Sequence, residues 1–205
     1  MKPSLRWYHA AQTDNHNNTN TRVMNRSNFM IFIGLLALMA LTRTEYPDFS
    51  VIIPDASWAV FLLAGFFLRQ ARYFIIFALA AWGLDIFAFR ADLAAAYCFT
   101  PGYIALVFTW MALWFGGRLV NADSARAPLL LTAVALPTAF VAFVISNLGY
   151  YLYSVYGETM TAMEYSIAIA KYLPWFEATT AAYASLVSAS IWGVRQLQQQ
   201  RLSQA

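Results

Sequence analysis

Residues 95–118 read AAYCFTPGYIALVFTWMALWFGGR. From Phe99 to Gly117 no side chain carries a charge, and the run has about the ~20 residues that an α-helix needs to cross the hydrocarbon core of a bilayer. Pro101 suits the first turn of such a helix, where its missing N–H would have no intrahelical partner in any case. The helix is therefore expected to start near Phe99 or Thr100 and to end at the Gly-Gly-Arg of 116–118. The whole chain agrees with this stretch: of 205 residues 60% are hydrophobic and 11% charged, and the mean hydropathy is +0.52. Such a chain cannot clothe itself for water, so an integral membrane protein is expected.

Working outward, five further apolar runs are read as spans, at about 29–41, 53–68, 71–89, 127–148 and 175–195. The predicted fold class is an all-α integral membrane bundle of six transmembrane helices in a domain covering 28–198. Residues 1–27, polar and Asn-rich, are expected as a flexible cytoplasmic tail, and 199–205 as a second, short one. The first run is short enough for a signal peptide, yet its long leader and the lack of a small-x-small cleavage site favour a retained helix.

Six spans place both termini on one side, and the basic residues say which. Lys2, Arg6, Arg22, Arg26, Arg69, Arg72, Arg118, Arg126, Arg195 and Arg201 fall on the side of the termini, against Arg43, Arg90 and Lys171 on the other. By the positive-inside rule the termini are cytoplasmic. Eight of ten acids, among them Asp55, Asp85, Glu158, Glu164 and Glu177, fall at outer loops or outer helix ends.

The longest connection is also outside. Residues 149–174, GYYLYSVYGETMTAMEYSIAIAKYLP, contain six tyrosines, Tyr150 among them, and a short amphipathic helix is predicted near 159–173. A long outer connection suits a lid or binding wall; tyrosines at a membrane–water interface have an equally good explanation in the aromatic belt.

Cys98 is the only cysteine, which excludes an internal disulfide and any multi-cysteine metal site. It precedes the fourth helix at its outer mouth, where the positive end of the helix dipole favours thiolate; small apolar filler is the alternative reading. Asp85 needs a partner at its depth and is a functional candidate on that ground, with a salt bridge to Arg90 as the plainer reading. Asp55, after Pro54, complements the start of the second helix. Asn147 can serve a ligand or a neighbouring backbone. Ala181, Ser185, Ala189 and Gly193 recur every four residues, a small-residue ridge suited to close packing inside the bundle or against a partner subunit. The chain has no phosphate-binding glycine loop and no HExxH, and both histidines, His9 and His16, lie in the tail; an ATPase, a zinc protease or a His-assisted thiol nucleophile is thereby excluded. No nucleic-acid partner is expected. A lone soft sulfur among aromatics favours a soft or borderline metal centre.

The segments PDASWAVFLLAGFFLR (54–69), AWGLDIFAF (81–89) and, above all, the Cys-aromatic-Thr-Pro block within 95–118 resemble the BtuM-type cobalamin transporters, small relatives of the S-components of energy-coupling-factor transporters. The likeness spans roughly 29–195. It implies an S-component-like bundle in a bacterial cytoplasmic membrane, surrounded by lipid, that takes up vitamin B12 or a related corrinoid through an outward-facing pocket. The cysteine of the family that ligates cobalt falls on Cys98. Tyr97, Phe99 and Tyr103 would shape the rim, Asp85, Asn147 and Tyr150 would contribute to the pocket, and the 149–174 connection would close over the ring. Cobalamin is cargo in this reading, and no enzyme activity is expected beyond exchange of a cobalt axial ligand such as cyanide. The first helix departs from the S-component pattern, offering Gly34, Ala37 and Ala40 at intervals of three in place of an Ala-x-x-x-Ala face for an energy-coupling ATPase module. The competing expectations are an importer of another vitamin or a metal with Cys98 as filler, and a membrane thiol-redox or scaffold protein.

Overall fold

The computed structural model describes residues 26–43, 53–91 (backbone alone for 88–91) and 101–204. Every regular element among them is helical: α1 (Arg26–Arg43), α2 (Ser57–Phe67), α3 (Ala71–Ala91), a 3₁₀ turn (Pro101–Tyr103) running into α4 (Ile104–Leu119), α5 (Ala127–Tyr153), α6 (Tyr156–Thr159), α7 (Ala162–Ala170) and α8 (Leu173–Ser203). Each of the six apolar runs contributes a helix among the described residues. Three of these are long and apolar enough to cross a membrane: α1, the 3₁₀ turn with α4, and α5.

Neighbouring helices run up and down. Phe32 in α1 packs on Tyr73 and Phe77 near the start of α3, at 5.7 and 5.4 Å between ring centroids, while Arg43 at the end of α1 reaches Asp85 late in α3. These two helices are parallel, and α2 returns between them. At the far end of α8, Ser188 meets Thr132 and Arg195 meets the carbonyls that precede α5, so α8 is antiparallel to α5. The start of α1 and the end of α8 thus share one end of the bundle.

Arginine stitches that end together. Arg69, in the left-handed region at φ 47°, closes the tight turn after α2 and donates to the carbonyls of Val120 and Arg118 at 3.0 and 2.9 Å. Arg195 donates to the carbonyls of Ser124 and Ala122 at 2.9 and 2.8 Å. Each cation satisfies chain-end carbonyls that a helix cannot satisfy for itself.

The core sits around α2, of which Phe61, Leu62, Leu63, Ala64 and Phe66 are buried. Phe61 stacks on Trp110 of α4 at 5.0 Å. Two glycines bring α2 and α4 into backbone contact: a methyl at Gly65 would strike the carbonyl of Trp114, and one at Gly117 the carbonyl of Leu62. Small residues serve this purpose between apolar helices, where van der Waals packing has to replace the hydrophobic drive.

Two expectations need correction here. The second apolar run does not form a full span. Its helix has 11 residues, about 16 Å at ~1.5 Å per residue, because the chain through Pro54 and Asp55 enters the helix only at Ser57. Nor does the small-residue ridge of α8 pack inside the bundle; the row one position earlier does. Thr180, Ala184 and Ser188 are buried, and Ser188 meets Thr132 of α5. Ser185 and Ala189 point away, and Gly193 has open space beside it.

Candidate functional site

The shortness of α2 leaves charged groups inside the bundle. Asp85 stands fourteen residues after Ala71 in α3, about 21 Å from the arginine-lined end at ~1.5 Å per residue. There its carboxylate receives a two-pronged bond from Arg43, Nε to Oδ1 at 2.6 Å and the terminal nitrogen Nη2 to Oδ2 at 2.8 Å. Both side chains are shielded, at 13% and 14% exposure. The forked guanidinium matches a carboxylate in the planar way that makes such pairs strong.

Arg43 is shared further. Its Nη1 donates to Ser57 Oγ at 2.7 Å and lies 3.6 Å from Asp55 Oδ2, and its guanidinium stands 5.6 Å from the Trp110 ring centroid. Asp55 in turn accepts from the N–H and the hydroxyl of Ser57, at 2.9 and 2.6 Å, which secures the start of α2. Two carboxylates around one guanidinium leave one negative charge in excess. The side chain that carries the excess is Asp55, 47% exposed. Beside it a cavity of about 40 Å³ is lined by Trp58, Trp175, Phe176, Thr179 and Thr180, with Trp58 and Phe176 in ring contact at 4.7 Å. Tyr183 donates to the carbonyl of Pro54 at 2.9 Å, tying α8 to this corner.

Asp85 is therefore an interior acid, as its position in the sequence suggests, but its observed partner is Arg43, 42 positions away; the side chain of Arg90 lies outside the described residues. Sequence reasoning did not single out Arg43, Ser57 or Trp58. The one available signal was an arginine on the acid-rich side, against the general bias.

Of the expected rim, Tyr97, Cys98 and Phe99 lie outside the described residues. Tyr103 is described: its ring stacks on Trp82 of α3 at 6.5 Å. The turn that bears it packs against α5, where a methyl at Gly149 would meet Ala105. The described chain thus resumes after Cys98 at the acid-bearing end of the bundle.

The long connection is ordered as expected near its middle. Thr161 caps α7 with a reciprocal pair: Glu164 N donates to Thr161 Oγ at 3.3 Å, and Thr161 N donates to the Glu164 carboxylate at 2.8 Å. That backbone donor, with the Thr161 hydroxyl second, holds the Glu164 carboxyl below its usual 4.5. Tyrosines form a chain of ring contacts, Tyr150 to Tyr156 at 5.9 Å, Tyr156 to Tyr165 at 5.9 Å and Tyr165 to Tyr151 at 5.0 Å. Desolvation there pushes the Tyr165 phenol up, with Tyr150 and Tyr156 adding to it.

Between α5 and α7 runs a half-open groove of about 300 Å³, lined by Phe140, Phe143, Val144, Asn147, Tyr165 and Ile169 among others. Asn147 is occupied within the protein: its amide donates to the carbonyl of Phe143 at 2.9 Å and its oxygen accepts from Tyr165 at 3.3 Å. Of the two roles open to it, the structure gives the backbone one. Tyr150 stands on the Tyr156 side of α5. The seven expected residues are thus not seen converging: Asp85 belongs to the charged interior, Tyr103 to the Trp82 stack, and Asn147 and Tyr150 to the α5–α7 connection. Among the described residues no group of three or more His, Cys, Asp or Glu is placed to hold a metal ion.

No family model matches the chain, and no curated protein matches it.

Proposed function

We propose that this protein is a corrinoid carrier of a bacterial cytoplasmic membrane, built from six apolar helices of which α2 is too short to cross alone, with both termini cytoplasmic and cargo received from the outer side. The observation that carries the reading is the truncated α2, which leaves Arg43, Asp85, Ser57 and half-exposed Asp55 as a polar floor inside the bundle. Aromatic side chains stand beside that floor: Trp58, Trp175 and Phe176 line the cavity at Asp55, and Trp110 faces the Arg43 guanidinium. An aromatic-walled recess with a few placed polar groups suits a large flat macrocycle bearing polar arms. Cys98, three residues ahead of the Pro101 turn, would ligate cobalt as thiolate, displacing water or cyanide, which leaves with its electron pair. The thiol proton passes to solvent.

Purified protein mixed with cyanocobalamin is expected to shift the corrin absorption bands, and Cys98→Ser to abolish the shift while leaving unfolding unchanged. An unshifted spectrum with the wild type refutes the cobalt ligation.

A second reading is favoured by size. The groove between α5 and α7, about 300 Å³, lies at the lower limit of the ~300–1,000 Å³ typical of small-molecule sites, so a smaller vitamin would fit without rearrangement. Binding of such a vitamin, undiminished in Cys98→Ser, would select it. Energising by a separate ATPase module is part of neither reading, since α1 offers Gly34, Ala37 and Ala40 without the expected docking face.

A further inference from the structure

We propose that the groove between α5 and α7 holds one hydrocarbon chain of an outer-leaflet membrane phospholipid. The proposal does not rest on cobalt ligation; it takes from the proposed function only which side is outer, and it excludes a small vitamin from this groove.

Three observations carry it. First, the hydroxyls and the amide lining or flanking the groove are spent inside the protein. Tyr165 donates to Asn147, Asn147 to the carbonyl of Phe143, Tyr151 to the carbonyl of Met160 at 3.0 Å, and Ser166 to the carbonyl of Ala162 at 2.7 Å. A polar guest would give up its bonds to water for few in return, whereas an apolar chain gives up none. Second, the groove lies at the right depth. α5 has 27 residues, about 40 Å against a core of ~30 Å. With Ala127 at the arginine-lined end, the twentieth step falls at Asn147. Phe140, Phe143 and Val144 then lie in the outer leaflet, while Tyr151 and α7 stand at the headgroup boundary. Third, the groove opens sideways. Phe140, Val144 and Leu148, one row on α5 at steps of four, are 48%, 47% and 54% exposed, and α5 is among the helices fit to cross a membrane.

The size agrees. About 300 Å³ holds about ten methylene groups if each takes ~30 Å³, the share of a water in the liquid. Lys171, exposed directly after the lining residue Ala170, supplies a cation for the phosphate of the same lipid.

The test uses the full chain, purified in detergent, stripped of lipid and reloaded with dipalmitoyl phosphatidylglycerol. Native mass spectrometry is expected to retain one lipid on the wild type after the rest are stripped. Val144→Trp and Ser166→Phe, which fill the groove, should lower retention about tenfold, a change of 1.4 kcal/mol. Leu129→Trp, on an exposed position of α5 remote from the groove, should leave it intact. Equal retention in all four proteins overturns the proposal, as does equal loss in Leu129→Trp. Because filling the groove also perturbs the packing of α7, a second readout uses the wild type alone. A phospholipid with a photoactivatable acyl chain should label 140–148 and 162–173; labelling spread evenly over α1, α4 and α5 overturns the proposal. Retention of free palmitate but not of the phospholipid also overturns it.

Discussion

Replacing Asp85 by Asn should destabilise the bundle far more than the loss of one hydrogen bond suggests. The substitution keeps shape and volume but leaves Arg43, 13% exposed, as a cation inside an apolar bundle. Removing one member of a buried pair costs about 3–5 kcal/mol, because the remaining charge stays desolvated. Asp55, 3.6 Å from the Arg43 terminal nitrogen, still compensates part of that charge, so the low end applies, about 3 kcal/mol. For a chain of this size each kcal/mol moves the midpoint by ~2–4 °C, which gives a fall of about 6–12 °C. The double variant Arg43→Met/Asp85→Leu removes both charges together with their desolvation cost and should unfold above the single variant, near the wild type. Thermal unfolding in one detergent, followed by intrinsic fluorescence and by size-exclusion recovery, measures all three. A midpoint for Asp85→Asn within a degree or two of the wild type refutes the reasoning, and so does a double variant less stable than the single.

Gly117→Leu should abolish the monodisperse peak in size-exclusion chromatography, because the added side chain meets the carbonyl of Leu62, backbone with no room to yield; Gly34→Leu, at a position with open space, should keep it. Arg195→Gln should loosen the end of the bundle by about 1–2 kcal/mol, since the charged donors to Ser124 and Ala122 are partly exposed and water replaces some of them. Glu164 gives a pH signature: its carboxyl is held below the usual value in the folded protein, so the capping box contributes fully above about pH 4.5 and is lost as pH falls through the lower, folded value. Exchange protection of 162–170, corrected for intrinsic rates, should fall in that window, and Glu164→Gln should show no such dependence. Cysteines placed at Ser124 and at Ser166 should react with a membrane-impermeant thiol reagent from opposite sides of sealed vesicles in a Cys98→Ser background; labelling from the same side would refute the alternating course of the helices.

Apolar runs carried most of the helices, since the length and hydropathy of a run are properties of a short segment. The amphipathic helix in the outer connection was equally legible, because Thr161 and Glu164 stand at the spacing of a capping box. Pairings between distant segments were not. Asp85 has Arg90 five residues away and Arg43 forty-two away, and nothing in a single sequence weights the second over the first. The start of α2 was misjudged for a related reason: 53–68 is apolar apart from Asp55 and Ser57, but those two bond to each other and the helix begins only at Ser57. On α8 the choice between the Ala181 row and the Thr180 row was a rotation of one position, which small residues on both rows left undetermined.

The brevity of α2 also bears on how the protein is made. Eleven residues cannot register as an independent span with the insertion machinery, and the main chain of its first turn relies on Thr42 and Asp55, from outside the helix, for acceptors. The turn at Arg69, two residues from the start of α3, makes α2 and α3 one hairpin, so the pair enters the membrane together. A nascent chain released before Leu84 has left the ribosome would then hold α1 in the bilayer and leave α2 behind.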